Sequence, residues 1–230
     1  MASPEQDAAT LETARIARDA ARQGRRGGWM TSAVSGMALL ASGLSLWEST
    51  LKQPDLKVYI TDNLSYTRDP WGGYEVFAIP LTIANSGARD GAVIAMTLEV
   101  KTAAGKTETF TSSYTVDATY FGATDDVSAR RRRPKLPFAP LSIAGKSSYS
   151  GTMLFYAAEY REQKIVEPKS RIDMVLRIAT PGPDGVIERA LSKTPEVIRL
   201  AVDVPNFLPG ALLSGDMARL RIATGAAAVP

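Results

Sequence analysis

Apolar and polar side chains alternate with a period of two through most of the chain after residue 55. One run places Phe77, Ile79, Leu81 and Ile83 on the same face, as in a strand with one buried side. Runs with the same alternation lie at 56–60, 94–100, 106–116, 149–155, 172–178, 198–204 and 220–222. Because no long helical segment separates them, the pattern predicts a mainly β domain, an antiparallel β-sandwich of eight or nine strands.

Two segments resemble parts of a known kind of module. Leu81–Gly87 (Leu-Thr-Ile-Ala-Asn-Ser-Gly), followed by Ile94–Val100, resembles the second and third strands of bacterial immunoglobulin-like, cell-adhesion-type surface modules. Pro140–Lys146 before Ser147–Phe155 resembles a later strand of the same modules. The resemblance covers about a third of the chain. It implies an immunoglobulin-like sandwich of a kind used for binding, and it brings no catalytic residue. The long connection over 117–139 departs from the pattern.

The N-terminal part of the chain has a different pattern, with no charged residue from Gly27 to Trp47. As a helix, residues 29–47 would span about 28 Å, close to the hydrocarbon thickness of a bilayer. The sequence therefore predicts a transmembrane signal-anchor helix at 29–47, and a buried helix of a soluble protein is the alternative. The residues predicted to anchor it in lipid are Trp29, Leu39, Leu40, Leu44 and Trp47.

Arginines before the uncharged run set the predicted orientation. Five arginines precede it within 15 residues, and only Lys52 and Lys57 follow it within 20. This bias predicts a bacterial inner-membrane protein with a cytoplasmic N-terminus and a periplasmic domain. The predicted segments are a cytoplasmic tail at 1–28, the anchor at 29–47, the exported domain at 48–223 and a flexible tail at 224–230. Ser32, Gly36 and Gly43 are predicted to let another helix approach closely.

Composition excludes several kinds of chemistry. The chain has neither cysteine nor histidine, which rules out disulfides, thiolate or imidazole metal ligands, and nucleophile–histidine catalysis. The formal net charge is only +3, so no nucleic-acid partner is expected. We expect no cofactor.

A run of cations stands within the long connection. Arg130, Arg131, Arg132 and Arg133 are followed after one proline by Lys135. Five cations so close together predict a weak site for an anionic ligand. The alternative is a solvated loop balanced by Asp125 and Asp126.

These patterns favour a non-catalytic membrane-anchored protein whose sandwich serves binding or assembly. The predicted partners are the lipid bilayer and other membrane or envelope proteins. An accessory subunit of a larger membrane complex, held through the transmembrane helix, is the first alternative. A hydrolase using carboxylates or a Ser/Lys pair is the second, and Ser49 and Lys52 have the spacing of such a pair.

Overall fold

The computed structural model describes residues 15, 18, 32–69, 72–116, 135–182, 197–213 and 216–223. The chain divides into two compact units, Met1–Leu51 and Lys52–Pro230. The first unit contains helical residues 32–46 and a π-helical turn at Trp47–Leu51. The second unit is built from strands and one short helix, α1 (Pro209–Leu213).

Twelve strands lie in the described part of the second unit. They are β1 (Leu56–Ile60), β2 (Asn63–Arg68), β3 (Glu75–Asn85), β4 (Gly91–Val93), β5 (Ala95–Thr102), β6 (Thr107–Val116), β7 (Leu136–Pro137), β8 (Leu141–Ile143), β9 (Ser148–Ala157), β10 (Arg171–Ala179), β11 (Val197–Asp203) and β12 (Ala218–Ile222).

Eight of these strands form a closed ring of antiparallel pairs. The order around the ring is β3-β2-β12-β11-β10-β5-β6-β9, and β9 pairs again with β3. Strand β1 continues the pairing along β3 beyond β2, β7 adds to β6, and β4 with β8 forms a separate two-stranded sheet.

The predicted immunoglobulin-like β-sandwich of eight or nine strands is therefore wrong, because one sheet closes on itself instead of two sheets packing face to face. Period-two alternation reports only that each strand has one buried face, and both architectures satisfy that requirement. Strand pairings between segments far apart in sequence determine which of the two architectures forms. Val76 pairs with Tyr156, and Leu220 pairs with Leu64.

The faces of most predicted strands are confirmed. Phe77, Ile79, Leu81 and Ile83 are at most 3% exposed, and the alternating apolar side chains of β10 are buried in the same way. Ile94 departs from its run, because it lies between β4 and β5 and is 46% exposed. Strand β2 was not predicted, although its side chains Leu64 and Tyr66 are fully buried.

The core fills the inside of the closed sheet and is centred on aromatic rings. The Phe77 ring lies 5.2 Å from the Tyr66 ring and 4.9 Å from the Phe110 ring, measured between centroids. Each of these side chains is fully buried. Tilted and edge-on ring contacts of this kind add to the free energy gained by burying the rings.

Asn85 closes one end of the sheet, which we call the Asn85 end. Its side chain is buried; Nδ2 donates to the carbonyl oxygen of Ile143 at 3.1 Å, and Oδ1 accepts from the backbone N–H of Gly87 at 3.0 Å. A Cβ at Gly87 would lie 2.1 Å from the carbonyl oxygen of Gln53. Only glycine fits there. The Asn-Ser-Gly segment that carried the resemblance thus has a structural role here.

The predicted transmembrane helix at 29–47 is wrong. In the part of the chain that the structure describes, no helix is both long and apolar enough to span a bilayer. The predicted inner-membrane location and orientation rested on that helix and are not retained.

Candidate functional site

The structure locates only part of the predicted site residues. Arg130, Arg131, Arg132 and Arg133 lie outside the described residues, as does Trp29. Lys135 is described: its Nζ donates to the Tyr156 hydroxyl at 2.9 Å and lies 5.9 Å from the Tyr114 ring centroid. Burial raises the pKa of Tyr156, and the bond from Lys135 acts against that rise. This lysine is thus attached to a tyrosine pair, and an anionic ligand at the basic loop stays a prediction.

The side chains predicted to contact lipid are exposed. Leu39, Leu40 and Leu44 are 67–74% exposed, and Trp47 is 40% exposed. A Cβ added at Gly36 or Gly43 would meet nothing within 4 Å. The role of Ser32, Gly36 and Gly43 in helix packing stays a prediction.

Charged residues gather at the end of the closed sheet opposite Asn85. Arg68 ends β2 and pairs in register with Glu75, which begins β3, while Glu108 lies at the start of β6. By strand alternation, all three occupy inward-facing positions, in step with Tyr66, Phe77 and Phe110 of the core. Residues 158–170, which we call the cap loop, connect β9 to β10 across this end. We call it the capped end.

Glu75 attaches the cap loop to the sheet. Glu75 is 3% exposed, and its carboxylate accepts a hydrogen bond from the Tyr66 hydroxyl at 2.7 Å. It also accepts from the backbone N–H groups of Ile165, at 3.0 Å, and Val166, at 3.2 Å. Both of those side chains are buried in the core. The buried charge is therefore stabilised by fixed donors, and the cap loop is held at both backbone and side chains.

These surroundings change the ionisation of Tyr66. Burial raises the pKa of its hydroxyl far above its usual range, and the neighbouring Glu75 raises it further. Tyr66 therefore stays protonated at physiological pH and always donates to Glu75. The pair is a permanent structural connection between β2, β3 and the cap loop.

Glu108 is a second buried carboxylate at the capped end. Its Oε2 lies 3.0 Å from Arg161 Nε, and the two side chains are 4% and 46% exposed. Although it is in this ion pair, Oε2 is one of two buried side-chain polar atoms without a hydrogen bond among the described residues; Arg68 Nε is the other. Burial raises the pKa of Glu108, Arg161 lowers it, and Glu75 adds to the rise.

A small surface of aromatic and apolar side chains lies outside these charges. The Tyr74 and Tyr160 rings meet edge-on at 5.8 Å, and Lys164 Nζ lies 4.2 Å from the centroid of the Tyr160 ring. Gly73, with a φ of 66°, lies between two of these side chains: a Cβ there would be 3.5 Å from Tyr160 and 4.0 Å from Leu213. Tyr160 is 56% exposed and Leu213 is 46% exposed. These five residues form what we call the Tyr160 surface.

The sequence interpretation missed this end of the molecule. A charged residue at an inward position of a strand, such as Glu75 in step with Phe77 and Ile79, was the available signal. Such a residue must find partners when it is buried. The partners here come from the cap loop, some 90 residues away, and no local pattern identifies them.

The buried carboxylates are poorly placed for hydrolysis. Glu75 already accepts three or more hydrogen bonds, and Glu108 is paired with Arg161. The Ser49 hydroxyl is exposed and donates to the Leu46 carbonyl oxygen at 3.4 Å. Within the described ranges, no group of three acidic side chains is arranged to hold a metal ion.

Comparisons with known proteins add little to this geometry. No protein-family model matches the chain, and no curated protein does. A crystal structure of the ApaA protein from Bordetella pertussis is similar over 64% of this chain and 89% of that one. The sequence identity is 14% and the TM-score is 0.28, so we base no argument on this similarity.

Proposed function

We propose that this chain is a non-catalytic binding or assembly protein and that the Tyr160 surface binds another protein. The observation that carries the proposal is the exposure of Tyr160 and Leu213 side by side on segments far apart in sequence. Tyrosine and arginine dominate the binding free energy of many protein interfaces, and Arg161 lies on the same loop as Tyr160. A partner that covers the exposed Tyr160 and Leu213 side chains removes their apolar surface from water, which favours binding.

The support under this surface also favours binding. Glu75 holds the cap loop through two backbone amides, and Ile165 and Val166 are inserted into the core. The loop is thus pre-organised, which lowers the entropy lost when a partner orders it. Carboxylates that are already bonded inside the protein are suited to this supporting role.

A second region favours assembly. The helical residues 32–46 carry large apolar side chains that are at least 55% exposed. They are Val34, Met37, Leu39, Leu40, Leu44 and Leu46. We propose, as a second candidate, that the chain is an accessory subunit held in a larger complex through this helix.

Co-purification of the full-length chain from its own host tests both candidates. Tyr160→Ala is expected to remove a stoichiometric protein partner, whereas Leu40→Gln leaves it bound. Tyr59→Ala is the matched control, because Tyr59 is 58% exposed on β1, away from the surface. If only Leu40→Gln releases the partner, the helix is the binding region and the Tyr160 surface is not. If cross-linked wild-type chain has no stoichiometric protein partner, the proposed function is wrong.

A further inference from the structure

Two cations at the capped end lack a carboxylate partner. Neither Arg68 nor Lys164 takes part in an ion pair with another described residue, whereas Arg161 nearby is paired with Glu108. Arg68 Nε is buried and makes no hydrogen bond. Partly buried arginines normally pair with carboxylates through their planar donors. This guanidinium instead acts on the Tyr66 hydroxyl, whose pKa it lowers, and its Nε donor stays unused.

Lys164 is the second of these two cations. Its Nζ lies over the Tyr160 ring and donates to the carbonyl oxygen of Arg161. Burial lowers the pKa of Lys164; Glu75 acts in the opposite direction, and Arg68 lowers the pKa further. Among the described residues, Glu75 is the carboxylate that acts on Lys164, and it does so beside a second cation, Arg68.

We infer that Arg68 and Lys164 form a receptor for an aspartate or glutamate carboxylate of the protein bound at the Tyr160 surface. This inference rests on the proposed function and names the chemistry of the partner. A segment with an apolar residue beside an acidic one fits both parts: the apolar side chain covers Tyr160 and Leu213, and the carboxylate pairs with the cations. A doubly charged phosphate fits less well, because Glu75 and Glu108 lie buried at the same end.

Blocked dipeptides provide a test that does not require the natural partner. The probes are Ac-Leu-Glu-NH2, its neutral analogue Ac-Leu-Gln-NH2 and inorganic phosphate, each titrated into the full-length chain and followed by NMR. We expect the glutamate peptide to bind about tenfold more tightly than the glutamine peptide, as a hydrogen-bonded ion pair predicts. It should also raise the pKa of Lys164 in the wild-type chain, because a nearby anion favours the charged amine.

Two lysine variants test whether the difference in affinity between the two peptides depends on Lys164. Lys164→Gln should make the two peptides bind equally. Lys57→Gln, an exposed lysine on β1 paired with Ala84 near the Asn85 end, should leave the tenfold difference unchanged.

Each remaining outcome overturns the inference. Equal binding of the two peptides to the wild type, or a Lys164 pKa that the glutamate peptide does not move, means that no carboxylate receptor exists. Tighter binding of phosphate than of the glutamate peptide means a site for free oxyanions. These results leave the co-purification experiment unaffected, so failure of the receptor and failure of the proposed function are distinguishable.

Discussion

At the two ends of the closed sheet, distant chain segments are joined by different kinds of side-chain contact. At the Asn85 end a neutral amide joins three chain segments, and Gly87 allows backbones to approach closely. At the capped end a buried carboxylate holds a loop, and further charges remain only partly satisfied. The Asn85 amide carries no charge, and both its oxygen and its nitrogen are hydrogen-bonded, so this contact does not depend on pH. A charged end retains unpaired groups that a partner can use, so the capped end is where we place function.

The largest effect is expected from a substitution that breaks the close approach at the Asn85 end. Gly87→Ala places a methyl group 2.1 Å from a backbone carbonyl oxygen. We expect the free energy of unfolding to fall by about 3 kcal/mol or more, measured by urea denaturation. Gly210→Ala is the control, since its Cβ meets nothing within 4 Å, and it should change stability by less than about 1 kcal/mol. Similar stability of Gly87→Ala and wild type would show that this end is loosely packed.

At the capped end, Glu75→Gln should be the next most destabilising. A glutamine keeps one acceptor oxygen and turns an NH2 group towards the amides of Ile165 and Val166. We expect a loss of about 2–3 kcal/mol and faster hydrogen exchange at those two amides than elsewhere in the core. The control is Glu99→Gln, which removes one partner of an exposed ion pair in which Glu99 Oε2 lies 3.5 Å from Arg177 Nη2. It should lower the free energy of unfolding by at most about 1 kcal/mol. Unchanged exchange at both amides would mean that Glu75 does not hold the cap loop.

The smallest expected effect is a pH dependence of the free energy of unfolding that comes from Glu108 at the capped end. The raised pKa of Glu108 means that the folded state binds this proton more tightly than the unfolded chain does. Ionised Glu108 therefore lowers stability at neutral pH, and that cost disappears as pH falls through the raised folded value towards the ordinary value of 4.5. Wild type should gain stability relative to Glu108→Gln as pH falls from 7 towards 4.5. If the free energy of unfolding of wild type minus that of Glu108→Gln, measured by urea denaturation, stays constant or falls as pH is lowered, this prediction is contradicted.

Strand faces were predictable because they depend on local alternation. The inward residues of β3, β5 and β10 were identified in this way, and their burial confirms them. The transmembrane helix was predicted from a local pattern too, yet among the described residues no helix is both long and apolar enough to span a bilayer. The candidate site was not predictable, because only folding brings Glu75 to the cap loop and Tyr160 close to Leu213.

By itself, the sequence of this protein determined a mainly β domain, the side chains that its strands bury, and the exclusion of cysteine and histidine chemistry. These properties follow from residue identity and from a period of two, which act over a few residues. The tertiary structure alone decided that the sheet closes on itself and that charged inward residues meet beneath one loop. Both depend on pairings between distant segments, whose free energy is gained only when the whole sheet forms.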